Sequence, residues 1–578
     1  MEANVYHTVI DRSQRAVIQR CTIFKSRNDQ TNLQNERRNT MKQFFAILLA
    51  LCLLASCTAA LAEKTYCNPL TLPNLQIQPK PFFPIPETED QINMKVEIAQ
   101  EMLAKETWIP ETDGRTMYNV GNIMNPVEDF CRTGADPTAF FHDGVCYLYA
   151  TGDCVTNYNC WYTTDFATWE PIAIDYIPTA PSVIEVNGKF YMAGNGSPVY
   201  VSDGPMGPWS ELGNFVLPDG TETRGFSDVC FFLDDDGRLY MNYSIGCPIM
   251  GVELDPENPT QMLADPVAIF EYDVNRPWTH AGSSFQDFTN GTCEGGQIFK
   301  YRGNYYFQVC SNGTDNASYC IGIMRAVSPL GPYVTEQPNN PVTKPGVGMM
   351  EGAGHGMFVE DPENGALLLF YTSIVGHVAT WYGRRISMDV CSIDVDGNIS
   401  VTKTETPQIV PRAFGPADTY DTDAGLFNLS KWMGYWTNNT ANKGSGFYAI
   451  DDSMNSWWTP TEEEPVYISG FNGVFRVYGV QICWKEFGFD FTRYNAVQYT
   501  VQYCDLETGE WKMLIDKSDN TLALVEEYVP VDPVMTCAIR VTILGCTDNC
   551  PIGITELRAF GENYTIAAEH GIPNYMVK

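Results

Sequence analysis

The sequence predicts an all-β protein in which a five-bladed β-propeller is followed by a β-sandwich. Two observations carry this prediction. Between about residues 113 and 410, short aromatic and β-branched runs alternate with Gly, Asp and Asn, without sustained helical periodicity. In the same region a strand, a glycine-containing turn and an apolar strand recur five times, whereas a different β pattern begins near residue 415. A chain of 578 residues has room for two or three such domains.

The five copies of the repeat each begin with the same kind of hairpin. They read DPTAFFHDGVCYLYA from Asp136, APSVIEVNGKFYMAG from Ala180, DVCFFLDDDGRLYMNY from Asp228, EGGQIFKYRGNYYFQV from Glu294 and HGMFVEDPENGALLLFYT from His355. The turn glycine follows the first residue by eight to ten positions. Because the spacing between copies is irregular, propeller blades are favoured over the alternative, which is a set of hairpins in one large sandwich.

The first residues of the copies are the candidate functional residues. Equivalent positions of propeller blades form a ring around the axis, so Asp136, Asp228, Glu294 and His355 would converge at one end of the central channel. One carboxylate at the start of a strand is usually a solvated turn residue. Four ionisable groups at equivalent places instead indicate an active site.

Charge and the N-terminal sequence limit the partners and the compartment. The formal net charge of −34 disfavours binding to a phosphate backbone, so nucleic acid is not expected as a partner. From Met41 the sequence reads MKQFFAILLALCLLASCTAALAEK, which is typical of a signal peptide cleaved after Ala62. We therefore expect residues 1–62 to be a leader and the protein to be secreted. A signal anchor and a lipid anchor at Cys57 are the alternatives, and with either one the folded protein lies on the outer side of the membrane.

The other segments are assigned from composition. Residues 63–112 read as a Pro-rich linker with a packing helix near 93–105, the propeller as 113–410, the sandwich as 415–562 and the tail as 563–578. Of the 19 cysteines, three lie in the predicted leader, which leaves an even number and favours disulfides in an oxidising compartment. The short loops suggest the pairs Cys154–Cys160, Cys310–Cys320 and Cys546–Cys550. Half a zinc site at the last pair is the alternative.

The ordered motifs resemble glycoside hydrolase family 43, whose members are five-bladed propellers. The similarity covers roughly residues 120–405 and rests on ADPTAFFHDGVCYLYATGD, SDVCFFLDDDGRLYMNYSIG, CEGGQIFKYRGNYYFQVCSNG and GHGMFVED. The resemblance implies that Asp136 is the general base, Asp228 the modulator of pKa and Glu294 the general acid. It also implies that His355 is the axial histidine, beside a structural calcium ion or a water in its place, and that no cofactor is required for the chemistry.

The chain departs from this family in the second blade, where Thr179-Ala180-Pro181 stands in place of the common Trp-Ala-Pro. Trp161, with Trp169 and Trp209, could supply the missing sugar platform, and packing between blades is the alternative for these side chains. Arg384 either binds a sugar hydroxyl or lies on the surface. Further departures are Gly296 after Gly295, and Val229 after Asp228, where Pro is common in both cases.

The C-terminal region resembles a discoidin-like module of the coagulation factor C type over about residues 415–562. The resemblance rests on the order Asp451, Trp457, Tyr499, Trp511, Arg540 and Glu556. It implies either carbohydrate binding or a rigid accessory domain that packs on the propeller.

Two classes of function remain. The first is a secreted inverting glycoside hydrolase that acts on α-L-arabinofuranosyl or β-D-xylosyl linkages of plant cell-wall polysaccharide, which are the substrates that the resemblance implies. The second is a non-catalytic carbohydrate-binding propeller or adhesin. A cluster of like charges is costly to maintain and has no evident use in a binding protein, so the enzyme is favoured.

Overall fold

The structure is a computed structural model. It describes residues 64–73, 134–151, 159–174, 176–244, 247–282, 285–291, 293–313, 317–344, 349–375, 384–439, 444–454, 456–485, 496–546 and 552–562. The predicted leader, packing helix and tail lie outside these ranges. Among the described residues, no helix has the length and apolar character needed to cross a bilayer.

The segment that the sequence analysis assigned to a linker is, over residues 64–73, part of the folded body. Strand β1 (Thr65–Tyr66) pairs with the chain near Ile409, and Tyr66, Cys67 and Leu70 are buried. The linker assignment is therefore wrong for these residues, because Tyr66 and Leu70 pack in the core of the propeller and Cys67 packs against the C-terminal region.

The first two repeats form regular four-stranded blades. In each blade every strand pairs antiparallel with the next one along the chain. The first blade consists of β2 (Ala135–His142), β3 (Val145–Thr151), β4 (Asn159–Thr163) and β5 (Glu170–Pro171). The second consists of β6 (Ser182–Val186), β7 (Lys189–Ala193), β8 (Val199–Ser202) and β9 (Ser210–Gly213).

The third repeat lies in a larger sheet. Its seven strands are β10 (Phe215–Val216), β11 (Glu222–Thr223), β12 (Ser227–Leu233), β13 (Leu239–Ser244), β14 (Ile249–Asp255), β15 (Asn258–Met262) and β16 (Val267–Phe270). The chain between the second and third repeats contributes β10, which pairs in parallel with β15 and so widens the sheet. A short 3₁₀ helix (Pro277–Thr279) and the two-stranded sheet of β17 (His280–Ala281) and β18 (Asp287–Gly291) follow.

The fourth and fifth repeats again form four-stranded blades. One consists of β19 (Cys293–Tyr301), β20 (Asn304–Ser311), β21 (Cys320–Ala326) and β22 (Thr335–Glu336). The other consists of β23 (Met350–Glu360), β24 (Leu367–Val375), β25 (Arg384–Ile393) and β26 (Ile399–Val401). The chain continues into β27 (Gln408–Ile409), the partner of β1, and a 3₁₀ helix (Pro411–Ala413).

The first strands of the repeats surround one axis. Strand β2 contacts β6, β6 contacts β12, β12 contacts β19, β19 contacts β23, and β23 contacts β2. The predicted all-β propeller is confirmed. The prediction of five blades is not confirmed, because the structure has four four-stranded blades and the third repeat belongs to the seven-stranded sheet.

The C-terminal region is a second β structure with its own core. Its strands are β28 (Leu426–Asn428), β29 (Gly434–Thr437), β30 (Val466–Lys485), β31 (Val497–Cys504), β32 (Trp511–Lys517), β33 (Glu526–Cys546) and β34 (Gly553–Glu562), with a 3₁₀ helix at Ser445–Ala449. Their order in the sheet is β28-β34-β30-β33-β31-β32, and β29 pairs with β30. Trp458, Tyr467 and Tyr499 are fully buried in the core.

The C-terminal region packs against the propeller and the N-terminal segment. Tyr528 joins Cys67 in one apolar cluster, and its backbone N–H donates to Thr71 Oγ1 at 2.9 Å. Cys483 packs against Met349 and Met350 in another cluster. The two domains are therefore joined by buried side chains from both.

Candidate active site

The residues of the candidate site are positioned by a backbone conformation that recurs in all five repeats. Each repeat has a residue in the left-handed conformation in its first strand or just before it: Asp136 (φ 50°), Ala180 (47°), Asp228 (50°), Gly295 (57°) and His355 (36°). In the fifth repeat Gly352 (57°) is left-handed as well. In the first, third, fourth and fifth repeats the strand register shifts at the left-handed residue, which is the signature of a β-bulge. A bulge turns a side chain away from its alternating position, and here it directs the side chains of the repeats to one end of the propeller.

Glu294 is not equivalent to the other candidates. In the fourth repeat the left-handed residue is Gly295. Glu294 therefore lies one residue before the position that corresponds to Asp136, whereas the sequence alignment of the repeats made Glu294 itself the equivalent residue. A Cβ at Gly295 would lie 2.9 Å from the His355 ring and 3.1 Å from Cys310 Sγ, so a larger residue does not fit. The predicted ring of four equivalent ionisable groups is therefore corrected to three, with Glu294 beside it.

Asp136 is a buried carboxylate with two basic partners. Its Oδ1 lies 3.1 Å from Nδ1 of His355 and 3.3 Å from Nη1 of Arg384, and its backbone N–H donates to Thr372 Oγ1 at 2.9 Å. Burial alone would raise the pKa of Asp136. The charges of Arg384 and His355 outweigh burial and hold that pKa well below its ordinary value, with a further hydrogen bond from Thr151. Asp136 is therefore ionised at neutral pH.

His355 carries a proton in this environment. Burial alone would lower the pKa of its imidazole, but the Asp136 carboxylate and the charges of Asp228 and Glu294 raise it to about 9. The His355 backbone N–H donates to Cys310 Sγ at 2.7 Å. The imidazolium therefore neutralises part of the acidic cluster and fixes the orientation of Asp136.

Asp228 connects two neighbouring blades. Its Oδ2 accepts hydrogen bonds from the backbone N–H of Gly295 at 3.0 Å and from Ser244 Oγ at 3.2 Å. Its own backbone N–H donates to Asn195 Oδ1 at 2.6 Å. These contacts hold the carboxylate of Asp228 next to the residue that follows Glu294.

The surroundings of Glu294 favour its protonated form. Burial raises the pKa of Glu294, and the neighbouring charge of Asp228 raises it further, against smaller opposing effects of His355 and Tyr319. Tyr319 Oη donates to Glu294 Oε1 at 2.9 Å, and this tyrosine is itself buried. Two carboxyl groups of one site, Asp136 and Glu294, thus have pKa values displaced in opposite directions, which is the arrangement needed for a base and an acid.

Several residues of the site were not found from the sequence. Tyr319, Thr151 and Thr372 lie in the second or third strand of a blade or in the turn before it, and nothing in the repeat pattern distinguishes them from packing residues. Ser244 ends β13, where it pairs with Ser227 beside Asp228. The only sequence signal for Ser244 is that it lies opposite the first residues of the third repeat when the two strands of the hairpin are paired.

Of the other predicted substrate-binding residues, Arg384 lies in the site and Trp161 does not. Arg384 is buried against Asp136, so the alternative of a surface role is wrong. Trp161 is buried in the core of the first blade, where its Nε1 donates to the carbonyl of Pro73 at 2.7 Å. Trp169 and Trp209 are also buried, against Phe370 and Tyr149 respectively. The prediction of Trp161 as a sugar platform is therefore wrong, because its ring has no exposed face.

The predicted calcium ion at His355 finds no suitable ligands among the described residues. Calcium takes six to eight oxygen ligands, whereas the His355 ring offers only nitrogen and its carboxylate neighbour Asp136 already contacts His355 and Arg384. No group of three or more His, Cys, Asp or Glu in the described ranges is arranged to hold a metal. These residues do not fit a calcium ion bound at the His355 ring.

The predicted Cys310–Cys320 disulfide is absent from the structure. Both residues are buried thiols that face different cores, Cys310 with Tyr319 and Tyr371, and Cys320 with Trp278 and Phe307. They lie on opposite faces of one blade, which prevents a bond. Cys154 and Cys550, the partners in the other two predicted pairs, lie outside the described residues.

The fold and the paired carboxyls define a class of protein, an all-β propeller with two carboxyl groups of oppositely shifted pKa at one end of its axis. The family model described as glycosyl hydrolases family 43 matches residues 123–399, a range that contains Asp136, Asp228, Glu294 and His355. The propeller part of the chain is therefore similar to this family.

Two curated relatives share part of the sequence. The arabinoxylan arabinofuranohydrolase of Bacillus subtilis (strain 168) is 28% identical over 270 residues, which are 37% of this chain and 51% of that protein. The protein of the same name from Paenibacillus polymyxa is 26% identical over 291 residues, 40% of this chain and 44% of the relative. The chain thus spans about half the length of the curated relatives that it matches.

Two of the solved structures that match part of this chain are named as hydrolases. One is named glycoside hydrolase, with a TM-score of 0.44 and 19% identity, over 75% of this chain and 99% of that chain. The other is a thermostable family-43 glycoside hydrolase, with a TM-score of 0.42 and 24% identity, over 49% of this chain and 96% of that chain.

Proposed function

We propose that the protein is an inverting glycoside hydrolase that cleaves α-L-arabinofuranosyl or β-D-xylosyl linkages of plant cell-wall polysaccharides or oligosaccharides. One observation carries the proposal: in the same site different neighbours hold the pKa of Asp136 well below its ordinary value and raise the pKa of Glu294. Inverting hydrolysis needs this pair, because one group activates water while the other protonates the leaving oxygen.

Each residue has a distinct part in the proposed reaction. Asp136 removes a proton from the attacking water, and Arg384 and His355 keep its carboxylate ionised and oriented. Glu294 donates its proton to the glycosidic oxygen as the bond breaks. Asp228 raises the pKa of Glu294 through its negative charge and so favours the protonated form. The proposed chemistry uses side chains of this chain and needs no cofactor.

The substrate class rests on the relatives. Two proteins with significant similarity to the propeller region are named arabinoxylan arabinofuranohydrolases. This favours an arabinofuranosyl linkage on a xylan over the xylosyl linkage. Because Thr179 stands in the place of the expected second-blade aromatic and Trp161 is buried, the sugar is held by other contacts than stacking on these two positions.

The alternative, a non-catalytic binding propeller, has one observation against it. Placing the buried Asp136 beside the partly buried Glu294 and His355 is electrostatically costly, and the cost has a purpose only if their protonation states are used. A binding site could achieve the same contacts with uncharged groups.

The accessory features complete the proposal. We propose secretion by the leader, with a lipid anchor at Cys57 as the alternative, and a discoidin-like C-terminal module. The module's buried contacts with the propeller support a rigid accessory role more than independent binding of polysaccharide.

A panel of 4-nitrophenyl α-L-arabinofuranoside, β-D-xyloside and β-D-galactoside tests the proposal, with the anomeric configuration of the first-formed product followed by NMR. Inversion is expected. Glu294→Gln should lose activity on natural linkages but retain it on dinitrophenyl glycosides, whose leaving group departs without protonation. Asp136→Ala should lose both activities, and added azide should restore a product of inverted configuration.

Asp143→Asn is the matched control, because this carboxylate lies in the turn of the same repeat with its side chain 90% exposed. It should leave every rate unchanged. Retention of configuration, or undiminished hydrolysis of natural linkages by Glu294→Gln, would contradict the mechanism. No turnover of any glycoside by the wild-type protein would favour the binding propeller.

A further inference from the structure

Two cysteines that the sequence analysis did not pair are in contact at the edge of the candidate site. The thiols of Cys247 and Cys293 are hydrogen-bonded to each other, although 45 residues separate them in the chain. Cys247 is exposed and precedes β14, whereas Cys293 is buried and is the first residue of β19. The Tyr272 backbone N–H donates to Cys247 Sγ at 3.0 Å and fixes that sulfur in place.

The position of the pair relates it to Glu294. Cys293 immediately precedes Glu294 in β19. Cys247 follows β13, which ends at Ser244, a hydrogen-bond donor to Asp228. A covalent bond between the two sulfurs would therefore link the strands that carry Asp228 and its partner to the strand that carries Glu294.

The two thiols have the properties of an attacking and a resolving cysteine. The hydrogen bond from Cys293 lowers the pKa of Cys247 to about 7, whereas that contact and burial raise the pKa of Cys293. An exposed thiol with a pKa near ambient pH is the form that attacks a disulfide most readily. Its buried neighbour is then in position to displace the mixed disulfide.

We propose that Cys247 and Cys293 form a disulfide, and that this crosslink positions Glu294 for proton donation. Its effect on catalysis rests on the proposed function, whereas its formation does not. The oxidant is a small disulfide such as oxidised glutathione. The Cys247 thiolate attacks one of its sulfurs and releases one glutathione thiolate. Cys293, on losing its proton, attacks the Cys247 sulfur and releases the second, so the protein loses two hydrogens and two electrons and the oxidant becomes two thiols.

The C-terminal region offers a matched control. Cys504, the last residue of β31, is hydrogen-bonded to Cys537 of β33, and its thiol pKa is also lowered to about 7 by this contact. This pair lies in a domain that contains none of the candidate catalytic residues. Its oxidation should proceed under the same conditions without any effect on Glu294.

The test begins with the full chain treated with oxidised glutathione, alkylated, digested without reduction and mapped by mass spectrometry. A peptide pair joined through Cys247 and Cys293 is expected, two hydrogens lighter than the sum of its parts. It should be absent from Cys247→Ser. Alkylation of both cysteines after oxidation would overturn the proposal, whether or not the protein hydrolyses any glycoside.

The second part compares rates. Reduced wild-type protein and Cys247→Ser should show a several-fold lower kcat on a substrate with a poor leaving group, and little change on a dinitrophenyl glycoside, because only the former needs the proton of Glu294. Cys504→Ser should match the oxidised wild type on both. Equal kcat for oxidised and reduced protein on the poor leaving group would overturn the positioning role while leaving the crosslink established.

Discussion

The backbone N–H of Gly295 donates a hydrogen bond to Oδ2 of Asp228 at 3.0 Å, across the boundary between two blades. The donor belongs to the residue after Glu294, and the acceptor is the carboxylate whose charge raises the pKa of Glu294. This hydrogen bond holds the charge of Asp228 at a fixed distance from Glu294. The pKa of the proposed acid therefore depends on how these two strands pack. This relationship gives the site several measurable properties.

Asp228→Asn should lower the pKa of Glu294, because the neighbouring negative charge is removed. In the pH profile of kcat/KM the alkaline limb reports loss of the Glu294 proton, so this limb should move to lower pH by roughly one unit. Ser244→Ala is the matched control, since it removes a hydrogen bond to Asp228 without removing charge, and it should move the limb less. An unmoved alkaline limb in Asp228→Asn would show that Asp228 does not tune the acid.

Tyr319→Phe should have the opposite effect on the same limb. Tyr319 donates to Glu294 Oε1, and this hydrogen bond lowers the pKa of the glutamic acid by favouring its ionised form. Without the hydroxyl, Glu294 keeps its proton to higher pH, and the alkaline limb should extend upwards. Hydrogen bonds to charged groups are worth about 1.5–3 kcal/mol, so the shift should be within reach of kinetic measurement. A downward shift would mean that Tyr319 acts in another way.

The repeat pattern predicts much of this fold, and the reasons for its success and failure are physical. Alternating apolar residues and turn glycines are local signals, so they identified each hairpin and the four residues that meet at the axis. The number of strands in the third sheet depends on β10, a two-residue strand that pairs with the distant β15, and no local signal marks such pairing. A one-residue bulge also cannot be read from composition, so Glu294 was aligned with Asp136 when Gly295 is its equivalent.

The sequence also did not show which of the candidate side chains are exposed. Trp161 and Arg384 both have residue types that bind sugars, yet one is covered by Pro73 and the other faces Asp136. The difference arises from which element packs on top of each residue. For Trp161 that element is the segment 64–73, which the sequence alone presents as a Pro-rich linker.

His355→Gln should move both limbs of the pH profile to higher pH. The imidazolium lowers the pKa of Asp136 and also that of Glu294, so its removal raises both. The acidic limb, which reports ionisation of the base, should rise by roughly one unit or more. His142→Gln is the control, because this histidine pairs with Glu185 in a turn away from the site. A change in kcat with both limbs unmoved would indicate that His355 has only a structural role.

The last prediction concerns the contact between the domains. Arg385, the neighbour of Arg384 in β25, donates through Nε to Glu526 Oε1 of the C-terminal region at 2.8 Å, and both side chains are largely buried. Glu526→Ala leaves Arg385 buried opposite an apolar side chain, at a cost of about 3–5 kcal/mol of folding free energy. If the two domains unfold as one unit, the urea transitions measured by tryptophan fluorescence and by loss of activity should shift together in this variant.

The double variant Arg385→Met/Glu526→Leu should recover much of the lost stability, because it replaces the ion pair with apolar packing. Lys512→Met is the control. It removes an ion pair remote from the propeller and should shift neither transition appreciably. An activity transition that stays at its wild-type position while the fluorescence transition moves would mean that the propeller folds independently, and would favour the C-terminal region as a separate polysaccharide-binding module.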